Sequence, residues 1–147
     1  MTAPNSNFRK RIYEHMSFPI SSATSVNTGD MVYIASHYAL VCDTDTKAAA
    51  FAGVSNDTNP VTSLGDAQTK IRVNRHDTFE FNTTSGDTYY QGDVCYVGAD
   101  AQTITNTVGG NTHAVGYVVL PDGVASLAYS SGAKVQVAIT PQFMPLA

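Results

Sequence analysis

Short apolar runs alternate with polar residues along most of the chain. Val, Ile, Thr, Tyr and Phe recur at about every second position in these runs, and Gly, Asn, Asp and Ser separate the runs. This period predicts β-strands joined by tight turns. The longest helix-like run, residues 46–51, is too short to form a stable helix. The predicted strands are residues 31–35, 39–42, 49–55, 69–75, 78–82, 94–98, 103–108, 113–120, 124–128 and 134–140.

This series of short strands predicts an all-β fold, a small antiparallel β-barrel or sandwich. The clearest hairpin in the pattern is Gly109-Gly110-Asn111, which lies between two β-rich runs.

The first 27 residues have a different pattern. They are polar, Pro4 and Pro19 interrupt them, and their few apolar residues are isolated. We therefore expect an extended arm over residues 1–27 and a single β-barrel domain over residues 28–147. The arm residues expected to contact another protein or a neighbouring copy are Phe8, Arg9, Lys10, Arg11, Ile12, Tyr13 and Phe18.

Basic and aromatic residues interleave in this arm. Contact with nucleic acid, docking onto an acidic protein surface and a disordered terminus are all compatible with that pattern. Three cations, Arg9 to Arg11, attract phosphates only weakly, so no direct nucleic-acid partner is expected.

Two distant segments share one pattern, TGDMVYIA at residues 28–35 and QGDVCYVGA at residues 91–99. The distance from Gly29 to Gly53 is 24 residues, and the distance from Gly92 to Gly116 is also 24. The shift between the two copies is 63 positions. It becomes 64 where KIRV at residues 70–73 is matched by KVQV at residues 134–137.

These matches predict an internal duplication with halves at about 28–82 and 91–143. Each half is expected to be a three-strand unit with an open apolar face, and the two halves are expected to close against each other. The alternative is that β-rich sequence with many turns repeats loosely by chance.

The repeat makes Asp30 and Asp93 equivalent, as the two aspartates of an aspartic protease are. The Asp-Thr/Ser-Gly sequence of such a site is missing, however, and a large apolar residue follows each Asp. We therefore interpret Gly29, Asp30, Gly92 and Asp93 as structural turns, in which Gly supplies a positive φ and Asp accepts a local N–H.

Composition narrows the functional classes. The chain has 147 residues, 14% of them charged, no Trp and a net charge of −4. No segment resembles a membrane helix. Cys42 and Cys95 lie in strand-like runs without ligand spacing, which favours small buried hydrophobic residues over a disulfide. Metal-binding, phosphate-binding and nucleophile motifs are missing, so we expect no enzyme, no metal and no cofactor.

The succession GDMVY at 29–33, AGV at 52–54 and KIRV at 70–73, with its partial echo, resembles the small β-barrel capsid decoration (cement) proteins of tailed bacteriophages. The resemblance covers roughly residues 28–140. It implies a non-catalytic virion protein on the outer surface of the capsid, made in the host cytoplasm. It also implies a homotrimer that binds the major capsid protein and stabilises the capsid.

A β-rich receptor-binding or carbohydrate-binding head-fibre module is the alternative, with residues 83–90 and 129–131 as binding loops. The lack of Trp counts against sugar stacking. The decoration hypothesis predicts that deleting residues 1–20 leaves the barrel folded and abolishes capsid binding.

Overall fold

The computed structural model describes residues 15–20, 25–35, 37–43, 51–58, 70–111, 114–121, 123–124, 126–128 and 134–141. Within these ranges the protein is all-β and contains no helix, as the sequence pattern predicts. The strands are β1 (His15–Pro19), β2 (Met31–Ala35), β3 (Tyr38–Val41), β4 (Phe51–Ser55), β5 (Lys70–Asn74), β6 (Thr78–Thr83), β7 (Thr88–Tyr90), β8 (Val94–Val97), β9 (Thr103–Thr105), β10 (Gly116–Val119), β11 (Ser126–Ala128) and β12 (Lys134–Ile139).

The strands divide at the middle of the chain. The first half contains β1 to β5, which form one sheet in the order β1-β5-β4-β2-β3. The second half contains a closed barrel in the order β10-β12-β6-β9-β8, together with a two-stranded sheet of β7 and β11.

The two halves have the same topology. When β1, β2, β3, β4 and β5 are matched with β6, β8, β9, β10 and β12, every neighbouring pair in the first sheet recurs in the barrel. The barrel closes through a parallel pair, β6 with β9, which includes Thr83 beside Ile104. In the first half a single parallel bridge, Ile20 to Ala39, joins the same two strands at the edges of the sheet.

The register of the strands follows the shift read from the sequence. Met31 pairs with Val54, and 63 positions later Val94 pairs with Tyr117. The structure therefore confirms the internal duplication.

The repeated unit is longer than the sequence indicated, and its boundary differs, since residues 78–82, expected in the first half, belong to β6 of the second half. Phe18 on β1 pairs with Ile71, and Phe81 on β6 pairs with Val135, so the shifts of 63 and 64 extend to the first strand. Each half is a five-strand unit rather than the expected three-strand unit. Each half also curls around its own interior, because the edges of both units are joined by parallel pairing.

Alternation along the strands builds two apolar cores. In β5 and β12 the exposed and buried positions alternate, which is the pattern of a strand with one solvated face. The core of the first half consists of Phe18, Ile20, Val26, Val32, Ile34, Ala39, Ala52, Ile71 and Val73. The core of the second half contains the residues at most of the equivalent positions, among them Phe81, Tyr89, Cys95, Ile104, Val115, Val135 and Val137.

Three details of the expected strand arrangement are wrong. Gly109-Gly110-Asn111 does not form a hairpin, because β9 and β10 pair with other strands and not with each other. The turn there is local, with the Asn111 N–H donating to the Val108 carbonyl at 2.8 Å. The barrel is also not wholly antiparallel, since β6 and β9 are parallel. Finally, β1 and β7 were not predicted as strands.

Candidate functional site

The predicted arm divides into two parts. Residues 8–13, with the expected contact residues Phe8, Arg9, Lys10, Arg11, Ile12 and Tyr13, lie outside the described residues. Residues 15–19 form β1, which pairs with β5 along its whole length. Phe18 is only 4% exposed and belongs to the core of the first half, so its predicted role as an external contact is wrong.

Both Gly-Asp sequences fold into the same turn. Asp30 accepts the Asn27 N–H at 2.9 Å through Oδ2, and its own N–H donates to the Asn27 carbonyl at 3.0 Å. Asp93 makes the same two bonds with Tyr90, at 2.9 and 3.0 Å. Gly29 and Gly92 have φ of 94° and 86°, values that glycine adopts without strain.

The two turns differ in what lies beside them. Asp30 is buried, and its second oxygen accepts a hydrogen bond from Gln102 Nε2 at 2.8 Å. The Met31 N–H also donates to the Ala101 carbonyl at 2.7 Å. The loop between β8 and β9 is therefore hydrogen-bonded to the first Gly-Asp turn, which joins the halves. Each carboxylate serves its own turn, as the structural interpretation of these residues requires.

An open groove follows this junction between the halves. Its polar lining consists of Ser25, Asn27, Asp30, Asp43, Asn82, Asp100 and Gln102. In the described ranges no group of three or more His, Cys, Asp or Glu side chains is placed to hold a metal ion. Two of the three carboxylates also accept local hydrogen bonds, Asp30 from Asn27 and Asp100 from Gln102.

Cys42 and Cys95 are both buried and are not disulfide-bonded, as the expectation of small buried side chains requires. Burial raises the pKa of the Cys95 thiol to about 12, and the Asp93 and Asp87 carboxylates add to this shift. A thiol of this kind stays protonated and unreactive near neutral pH.

The predicted binding loop 83–90 is held by internal hydrogen bonds. Tyr89 is fully buried, and its hydroxyl donates to Asp87 Oδ2 at 3.0 Å. The same carboxylate oxygen accepts a bond from Thr105 Oγ1 at 2.9 Å. Burial, reinforced by Asp87, raises the pKa of the Tyr89 phenol. Tyr90 is the exposed aromatic residue of this loop, and residues 129–131 of the other predicted loop lie outside the described residues.

One exposed surface of the second half is apolar. Val94 and Tyr117 pair across β8 and β10 and are 47% and 46% exposed. Tyr96, two residues beyond Val94, points to the same side of β8 and is partly buried. We call these three residues the β8–β10 face.

Comparisons with protein-family models, curated proteins and solved structures find no match for this chain. Among the described residues there is no helix of the length and apolar character needed to span a membrane.

The run at residues 94–97 is apolar on both faces in the sequence, but the pairing of Val94 with an exposed Tyr117 was not predicted. Val94 and Tyr117 lie in continuous apolar runs, so the sequence does not show which of their faces is buried. Which copy of a repeated face is covered depends on how the halves pack, and this is visible only in the structure.

Proposed function

We propose that this protein is a structural virion component that decorates the outer surface of a tailed-phage capsid. It assembles as a homotrimer, binds the major capsid protein and stabilises the shell. The proposal assigns no catalytic step to the chain.

The main support for the proposal is where the three motifs that resemble those of decoration proteins lie in the fold. GDMVY covers the first turn and β2, AGV lies in β4, and KIRV lies in β5. These segments are distant in sequence but form neighbouring strands of one sheet. The motifs on which the resemblance rests therefore lie together in one sheet, which supports the proposal.

Two further features support a role in adhesion. The carboxylates of Asp30, Asp87 and Asp93, in the two turns and the 83–90 loop, accept hydrogen bonds from within the chain. The exposed apolar residues Val94 and Tyr117 suit contact with another protein surface. Many identical weak contacts on a lattice would add up to tight binding through multivalency.

The test is co-sedimentation of the purified chain with capsids of the virus that encodes it. We expect saturable binding and a higher temperature of capsid disruption in the presence of the protein. A chain lacking residues 1–14, which keeps β1, should bind more weakly, because the basic and aromatic part of the arm is gone.

The matched control replaces the exposed strand lysines Lys70 and Lys134 by Ala and leaves the arm intact. Undiminished binding by the truncated chain would remove the arm from the proposal. Failure of the full chain to bind capsids, together with specific capture on a glycan or receptor array, would replace the proposal with the head-fibre alternative.

A further inference from the structure

In the first half, the outer face of β2 and β4 is covered by the second half of the chain. Met31 is 0% exposed and Val54 is 1% exposed, although both point away from the core of their own half. Together with Phe51, they belong to the apolar core of the second half. One copy of the repeated unit therefore uses this face to bind the other copy.

The second half has the same face with the opposite exposure. Val94 and Tyr117 occupy the positions of Met31 and Val54 after the shift of 63, and they pair in the same register. They are 47% and 46% exposed, against 0% and 1% for their equivalents. The face that is covered within the chain in the first copy is therefore exposed in the second copy.

Apolar residues are not the rule on the outer side of these sheets. The exposed outer positions of β5 and β12 are Lys70, Arg72, Lys134 and Gln136. Arg72 is also paired with Asp57 at 3.1 Å, and its hydrogen bond lowers the pKa of that carboxyl. Polar residues are therefore used where strands face water, and Val94 and Tyr117 depart from this pattern.

We propose that the β8–β10 face binds a second copy of this chain. The occupant is inferred from the repeat, because the equivalent face is covered by a unit of this same fold. The contact is head to tail, since within the chain the covered face meets a different surface of the other unit and not its own equivalent. Such a contact continues from copy to copy and gives a closed ring or an open filament.

This inference rests on the internal repeat and is independent of capsid binding. The test is sedimentation equilibrium of the full chain over a wide range of concentrations, without capsids. The wild-type protein should associate, and the substitutions Val94→Asp and Tyr117→Asp should each weaken association at least about tenfold, because an unpaired carboxylate would be buried. Val108→Asp is the matched control, since Val108 is 52% exposed in the loop between β9 and β10, and association should be unchanged.

Several results would overturn the proposal. They are a monomeric wild-type protein at every concentration, association that neither substitution weakens, and association that appears only after residues 1–14 are deleted. The last result would identify the arm as the segment that covers the face.

A Tyr117→Cys variant that cross-links to itself as a two-chain species would show a face-to-face dimer and contradict the head-to-tail arrangement. Loss of capsid binding with intact self-association would count against the proposed function alone.

Discussion

At the scale of single residues, the duplication is clearest at two glycines that lack space for a side chain. Gly53 on β4 and Gly116 on β10 are equivalent under the shift of 63. A Cβ on Gly53 would overlap the Asn74 carbonyl oxygen, and a Cβ on Gly116 would overlap that of Ala138. Both glycines therefore permit the same close approach of neighbouring strands, β4 to β5 and β10 to β12.

Substituting either glycine by Ala should destabilise the protein severely. We expect Gly53→Ala and Gly116→Ala each to lower the free energy of unfolding by roughly 3 kcal/mol or more, because the backbone must shift to make room. Gly86→Ala is the control, since Gly86 has φ of 90° but open space around its Cα, so only backbone strain of about 1–2 kcal/mol remains. Denaturant unfolding measures all three values, and a Gly116→Ala variant as stable as Gly86→Ala would contradict the close approach.

At the scale of the elements, periodicity located most strands to within a few residues. The prediction for residues 31–35 matches β2, those for β6 and β12 differ from the structure by one residue at one end, and that for β5 differs by one residue at each end. Periodicity succeeds there because each strand has one buried and one solvated face. β1 was missed because Pro19 and isolated apolar residues look like an extended arm, and pairing with β5 becomes evident only in three dimensions.

The turn signals were weaker guides than the strand signals. Gly109-Gly110 does form a turn, but the flanking strands β9 and β10 pair elsewhere in the barrel. A turn sequence reports local backbone preference and does not determine which strands meet. The repeat was the more informative signal, since its shift of 63 correctly predicted which residues are equivalent.

The burial of β1 changes the deletion experiment that the sequence suggested. Removing residues 1–20 would delete β1 and two buried side chains, Phe18 and Ile20. The lost apolar burial amounts to about 3–6 kcal/mol, a large part of the about 5–15 kcal/mol that stabilises a typical domain. We therefore expect the 1–20 deletion to unfold or aggregate, whereas deletion of residues 1–14 should keep the native circular dichroism spectrum and a cooperative melt. A folded, soluble 1–20 deletion would show that β1 is dispensable.

At the scale of the whole molecule, two units of one fold are joined asymmetrically. Met31, Phe51 and Val54 of the first half extend the core of the second half. The hydrogen bond from Gln102 to Asp30 and the bond from the Met31 N–H to Ala101 reinforce the junction. These apolar residues of the first half are buried against the second half. The two halves should therefore unfold as one cooperative unit, even though each curls around its own interior.

Calorimetry of Met31→Ala tests this cooperativity. Wild-type protein should unfold in a single transition whose calorimetric and van't Hoff enthalpies agree. Met31→Ala should shift that whole transition, lowering stability by about 2–5 kcal/mol, because it opens a cavity at a fully buried position. Val108→Ala, at an exposed position, should change stability by less than about 0.5 kcal/mol. If the melt instead split into two transitions and the substitution moved only one of them, the halves would be independent domains. The exposed β8–β10 face would then have no covered equivalent that contributes to stability, and the case for head-to-tail association would lose its physical basis.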